Sequence, residues 1–405
     1  MPRSIMSAAP LAALTLTALL AGCSAEPAAP ADGAPPEDSA PAGHGDVSGA
    51  AQVAEPQSQL VSVDAGGNVG LLDLLTDETQ ELGTVGPPEA IASDGRYAFV
   101  TTADGVDIID GGRWSWDHGD HFHYYRAEAA LPGSVQGAGP VTVTGAPLAT
   151  AGGTGLFFSG SGEAVLLDNE ALADGEVSER FRIDTGAGEG VAAPFDTGAI
   201  VATPDGAAVR DASGAEIEPI NCAEPSGAVT TRVGTVVGCA DGAILVTGRI
   251  DDPRVEAIPY PEDAEARAAG FAGRKNRPTV AGLAGASGFW LLDTRDRSWS
   301  HADTEAELVD VVAADDDAGR VVALGADGRV LVFDEQGALL GSSDPLVAES
   351  LAAGDEVDLV VDTQRAYLSD PANGTVYEID YADGARVARE LTTPTSPFVA
   401  TELGR

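Results

Sequence analysis

From about residue 58 the chain repeats one pattern of apolar and polar positions. A short strand-like run leads into a tight turn, and a second run of alternating or continuous apolar residues closes on Asp. The second runs are "NVGLLD" (68–73), "GVDIID" (105–110), "EAVLLD" (163–168), "GAAVRD" (206–211), "GAILVT" (242–247), "GFWLLD" (288–293), "GRVLVFD" (328–334) and "GTVYEID" (374–380). Seven of these eight end in Asp. The preceding run and turn are clearest in "YAFVTTADG" (97–105), "AIVATPDG" (199–206), "TVVGCADG" (235–242) and "RVVALGADG" (320–328). Asp-Gly between apolar runs marks a hairpin, because glycine takes a positive φ without steric cost. Helical periodicity is almost absent.

Asn68 to Gly374 is 306 residues in seven steps, about 44 per step. A strand-built period of 40 to 50 matches one four-stranded propeller blade. The pattern predicts an all-β protein, a β-propeller of eight blades. A ring of seven follows if the first unit shares its blade with the C-terminus. "SPFVATELG" (396–404) is then the inner strand of the blade begun by "QLVSVDAGGNVGLLDL" (59–74), and this closure leaves no exposed sheet edge. The even spacing argues against a pair of β-sandwiches. With strands a to d counted from centre to rim, each Asp-ending run is strand c. "GGRWSWDHGDH" then falls in an enlarged c–d connection, "FHYYRAEA" (122–129) begins strand d, and the segment lies on the outer flank of its blade.

The first residues have a different character. Arg3 precedes an apolar run from about Ala8 to Leu20, too short for a membrane span and closed by small residues, as in a secretory signal. The cysteine directly after Leu20-Ala21-Gly22 resembles the lipobox of bacterial lipoproteins, which implies a lipid on Cys23 as the mature N-terminus. Residues 1–22 are therefore expected to be a signal peptide and 23–57 a lipidated flexible tether, with the propeller over 58–405. The tether is Ala, Pro, Gly, Asp, Glu and Ser, which bury too little surface to offset the entropy of ordering them. The expected location is the outer face of the cell membrane. Cys222 and Cys239 are expected to form a disulfide there. The formal charge of −42, from 64 acidic against 22 basic residues, repels nucleic acid and anionic lipid and attracts cations.

Three of the five histidines lie in "WDHGDHFHYY" (116–125). On an extended strand, His121 and His123 point to one face. His118 can fold back across Gly119, and Asp120 or Asp117 can add a carboxylate, to the metal or behind an imidazole. Zn²⁺ suits this set, and Cu²⁺ competes for the same nitrogens. Trp114 and Trp116 are expected to pack the loop onto its blade. His44, in the tether, is a solvated residue or a loose metal collector. His301, in the echoing segment "DRSWSHADT" (296–304), is too far along the ring to join the cluster.

The stretch "DGVDIIDGGRWSWDHGDHFHYYRA" resembles the AztD-type zinc metallochaperones, exported β-propellers associated with a zinc ABC transporter. The resemblance implies that His118, His121 and His123, with Asp120 as acidic companion, hold Zn²⁺ and hand it to the transporter's solute-binding protein. It departs from the family in the tether, which is proline-rich with a single histidine. Two other readings stay open: a propeller hydrolase or lactonase with a channel metal, and a non-catalytic scaffold lipoprotein stapled by zinc. Transfer of bound zinc, turnover of a lactone or ester, or indefinite retention of the metal tells the three apart.

Overall fold

The computed structural model describes residues 45–119 and 121–405. The expectations for the signal peptide, for lipidation at Cys23, for His44 and for Asp120 lie outside the described residues.

Eight four-stranded antiparallel sheets follow one another along the chain. Seven are built from consecutive stretches. The remaining sheet pairs Val399–Leu403 with Gln59–Val63, then Asn68–Asp73 and Thr79–Thr84. Val61 lies opposite Thr401 and Val63 opposite Val399, so the last strand closes the sheet opened by the first. The predicted closure is thus present, and the eighth run still has a complete sheet of its own, ending at Leu391. In each of the eight sheets the repeated run is the third strand, and in seven of them it ends in Asp.

These runs are nearly continuous apolar residues because both faces of each sheet are covered. Phe99 and Ile108 of the second sheet pack with Leu156 and Val165 of the third. Ala98, Val100 and Ile109 turn the opposite way, onto Val61 and Leu71 of the first. The same exchange links every neighbouring pair around the ring. It ends with Leu60 and Leu72 of the first sheet against Tyr367 and Val376 of the last. The cores form a closed cycle of eight interfaces, which makes the described body an all-β propeller. A fully buried Leu or Val in such an interface contributes about 1.5–3 kcal/mol.

The two helices among the described residues are short, Asn169–Ala173 and Ala348–Ala353. No helix among the described residues is long and apolar enough to cross a membrane. Cys222 and Cys239, both 1% exposed, are joined by a disulfide.

One element interrupts the repeat. Gly105–Asp110 is the third strand of its sheet, but the fourth is Ala130–Gln136. Between them Arg113–Asp117 and Phe122–Arg126 form a separate hairpin. Residues 122–126 therefore do not begin the outer strand, as the sequence pattern suggested. They belong to an insertion that pairs on its free edge with a third strand, Ala51–Val53. That third strand comes from the stretch expected to be tether.

Candidate metal centre

The root of the hairpin is locked to the ring. The Arg96 guanidinium makes two hydrogen bonds to Asp110, at 3.0 and 2.7 Å, and lies 4.0 Å over the Trp114 ring. Trp114 stacks on Tyr125 with centroids 5.3 Å apart, and both are 1% exposed. Arg113 pairs with Asp73 at 2.8 Å. Burial opposes ionisation of Asp73, but backbone N–H groups of Leu75 and Thr76 and the Arg113 charge outweigh it and hold its carboxyl below the usual range. The Trp114 indole donates to the Gly45 carbonyl at 2.9 Å. Gly45 has φ +83°, and a Cβ there would meet the Trp116 ring at 2.4 Å, so only glycine lies flush on that indole. Trp114 thus packs the insertion onto its blade as expected, while Trp116 serves the incoming N-terminal segment.

Side chains alternate along both strands. Trp116 lies opposite His123 and Trp114 opposite Tyr125 on one face. At the tip, Gly119 takes φ +89°, its N–H donates to Asp117 at 2.6 Å, and the His118 N–H donates to the His121 carbonyl at 2.9 Å. This turn brings the three imidazoles together. Ring centroids are 4.8 Å apart for His118 and His121, 5.0 Å for His118 and His123, and 4.9 Å for His121 and His123. One ligand atom from each lies within 4.8 Å of the others. His118 and His121 are exposed and His123 is half-buried. No other set of three metal-ligating side chains is so grouped among the described residues.

The distances suit a first-row divalent ion. Nε2 of His121 and Nε2 of His123 are 3.1 Å apart. Nitrogens about 2.0–2.1 Å from a tetrahedral zinc stand roughly 3.3 Å from one another. Two ligands therefore already have the required separation. The His118 ring lies parallel to that of His121, at 8°, with a ligand nitrogen within 4.8 Å of the other two.

Gln52, which pattern reading placed in a flexible tether, is part of this centre. Its strand pairs Gln52 with Tyr125, and its amide reaches diagonally to His123 Nδ1 at 2.8 Å. No sequence signal marks it, since one Gln in a polar segment looks solvated. His301 lies on the outer strand Ser298–Asp303, its ring 4.7 Å from Trp290 and outside the cluster.

The hairpin does not lie on the outer flank. Ser115, Asp117, Phe122 and Tyr124 face a cavity whose other walls include Arg232, Arg274 to Arg277, Val361 to Thr363, Glu402, Gly404 and Arg405. Arg232, Arg274 to Arg277 and Thr363 lie in turns between first and second strands of three other sheets; the stretch from Glu402 continues the innermost strand of the first. The a–b and c–d turns of a blade leave on the same face of the ring. A c–d insertion this long can bend inward over the mouth of the channel, and the Ser115 hydroxyl donates to Gly404 there at 3.4 Å.

No family profile and no curated relative matches the chain. Among solved structures, Citrobacter koseri AztD superposes with a TM-score of 0.73 at 22% identity, covering 87% of this chain and 99% of that one. Apo AztD from Citrobacter koseri gives 0.72 at 21%, with the same coverage. The dihydro-heme d1 dehydrogenase NirN, in complex with DHE, gives 0.50 at 15%, covering 89% and 81%. Over nearly its whole described length, this chain has the AztD-type fold.

Proposed function

We propose that this protein is an extracytoplasmic zinc carrier. It holds Zn²⁺ on His118, His121 and His123 and passes it by ligand exchange to the solute-binding protein of a zinc ABC transporter. The observation that carries this reading is the convergence of three imidazoles on the tip of one hairpin. The likeness of the tip sequence and of the fold to AztD-type proteins supports zinc as cargo. In this proposal Asp120 is the acidic companion, Cys23 carries a lipid, and the protein works at the outer face of the membrane.

Each imidazole contributes one nitrogen lone pair, and zinc prefers four ligands. Three protein nitrogens leave a position for water or for an acceptor's side chain. The two outer histidines stand in solvent, so an acceptor can replace them one at a time without freeing the ion. Net movement requires the acceptor to bind more tightly, at about 1.4 kcal/mol for each tenfold in affinity. Loading needs neutral imidazoles, so acid opposes it.

The test is transfer. Zinc-loaded protein is mixed with a zinc solute-binding protein and, separately, with a chelator of matched affinity. Carrier function predicts faster loss to the binding protein. Equal rates, or retention of the metal against both, would refute it.

A further inference from the structure

The cavity beneath the hairpin is about 420 Å³, within the range that holds small organic ligands. Its chemistry is opposite to that of the rest of the molecule. The chain has 64 acidic and 22 basic residues, yet Arg232, Arg274, Lys275, Arg277 and Arg405 all line this one space. Lys275 is the chain's only lysine.

Most other arginines are matched by carboxylates, as Arg182 is by Glu163 and Glu179. Here two cations, Arg232 and Arg274, have no ion pair among the described residues, while the charge of Lys275 interacts with the buried Asp94 carboxylate. Arg274 donates to the backbone carbonyls of Ala314 and Asp315, and Lys275 to that of Asp94 at 2.5 Å. Arg232 is exposed and has no ion-pair partner among the described residues. Arg277 is neutralised by Asp315 at 2.9 Å, and Arg405 approaches Glu402 at 3.3 Å. Two other carboxylates at the wall are turned into local turns. Asp117 accepts the Gly119 N–H at 2.6 Å, and Asp362 those of Gln364 and Arg365 at 2.7 and 2.6 Å. The carbonyl contacts hold Arg274 in place without pairing its charge, whereas burial lowers the Lys275 pKa and the Asp94 carboxylate opposes that shift. The roof is aromatic: Phe122 and Tyr124 are parallel within 7°, 6.3 Å apart, and Phe122 is 52% exposed.

From this juxtaposition we infer a second binding site, for a small organic oxyanion, a carboxylate or a phosphate, bearing an apolar or planar portion. The guanidinium groups take the oxyanion, a geometry to which arginine is suited. Phe122 and Tyr124 cover the remainder. The ligand then sits under the hairpin whose tip carries the histidines.

The site is tested on the full chain without metal, so that it stands or fails separately from the zinc reading. Calorimetric titrations use benzoate and phenyl phosphate, with benzyl alcohol as the uncharged control. Binding of either anion, without binding of the alcohol, is expected, and which anion binds identifies the headgroup. Arg232 is exposed and makes no side-chain hydrogen bond or ion pair among the described residues, so Arg232→Gln should fold normally and weaken that binding roughly tenfold, the scale of one charge-assisted hydrogen bond. Arg254→Gln, on the exposed rim, should leave it unchanged. Absence of binding by both anions up to about 10 mM, or equal affinity in wild type and Arg232→Gln, would overturn the proposal.

Discussion

The side-chain amide of Gln52 lies 2.8 Å from Nδ1 of His123, and Nε2 of that ring lies 3.1 Å from Nε2 of His121. The two contacts are coupled through the tautomer of His123. If the amide nitrogen donates to Nδ1, the ring proton sits on Nε2 and is given to His121. If the amide turns its oxygen to Nδ1, the proton moves to Nδ1 and the Nε2 lone pair is released for a metal. Metal-bound histidines commonly donate their second N–H to such an acceptor. Gln52→Glu, a permanent acceptor, should therefore tighten zinc binding, and Gln52→Leu should weaken it, by about tenfold or more. Chelator competition measures both; equal affinities would dismiss Gln52 as a partner of the site.

The stack of Arg96, Trp114 and Tyr125 fixes the hairpin independently of the ring cores. Trp114→Ala removes a fully buried indole, a change that typically costs about 3–5 kcal/mol. Because the indole belongs to the insertion, the loss should fall mainly there. Hydrogen exchange should show the hairpin opened and the eight sheets protected, with zinc affinity reduced. Uniform loss of protection around the ring would contradict this division.

Stability should be greatest in mild acid. Burial pushes Glu402 up to about 7, with Arg405 offsetting only part of it, and burial pushes Asp310 up to about 6. Asp358 is likewise raised by burial, with Glu356 adding repulsion. A carboxyl raised in the folded state favours folding below its unfolded value, near 4, and that benefit is lost as pH climbs through the folded value. For Glu402 the loss is on the order of 3 kcal/mol by pH 8. Asp73 and Asp168 act oppositely. Burial resists their ionisation, but hydrogen bonds and arginine partners prevail, so their contribution disappears as pH falls below about 4. Melting temperature should be higher at pH 5 than at pH 8, and Glu402→Gln should narrow the gap. A melting temperature that rises steadily from pH 5 to pH 8 would rule this out.

The Cys222–Cys239 bond, with a sequence separation of 17, ties the segment after the fourth sheet to the second strand of the fifth. Constraining an unfolded loop of that length is worth about 3 kcal/mol. Replacing both residues with Ser should lower the denaturation free energy by about that amount, with zinc binding unchanged because the hairpin is remote in sequence and lies in another sheet's insertion. A change in zinc affinity would show a coupling between the two.

Much of the fold could be read from periodicity, because each Asp-ending run is one buried third strand and Asp-Gly turns recur between strands. Ring closure by residues 396–404 was legible for the same reason. The histidine cluster stood out by residue type alone. The inward placement of the hairpin did not, since a repeat gives a strand's order in its blade but not which way an inserted loop leans. Gln52 and Gly45 were invisible because their roles depend on pairing with residues about 70 positions away. The cations of the channel mouth come from turns of two sheets and from Arg405 after the last strand, and they meet only when the ring closes.

The most direct test of the central claim is anomalous diffraction at the zinc edge from crystals of the loaded protein. The account predicts one principal peak at the hairpin tip, about 2.0–2.1 Å from a nitrogen of each of His118, His121 and His123. A principal peak anywhere else, or one bonded to fewer than two of these imidazoles, would contradict it.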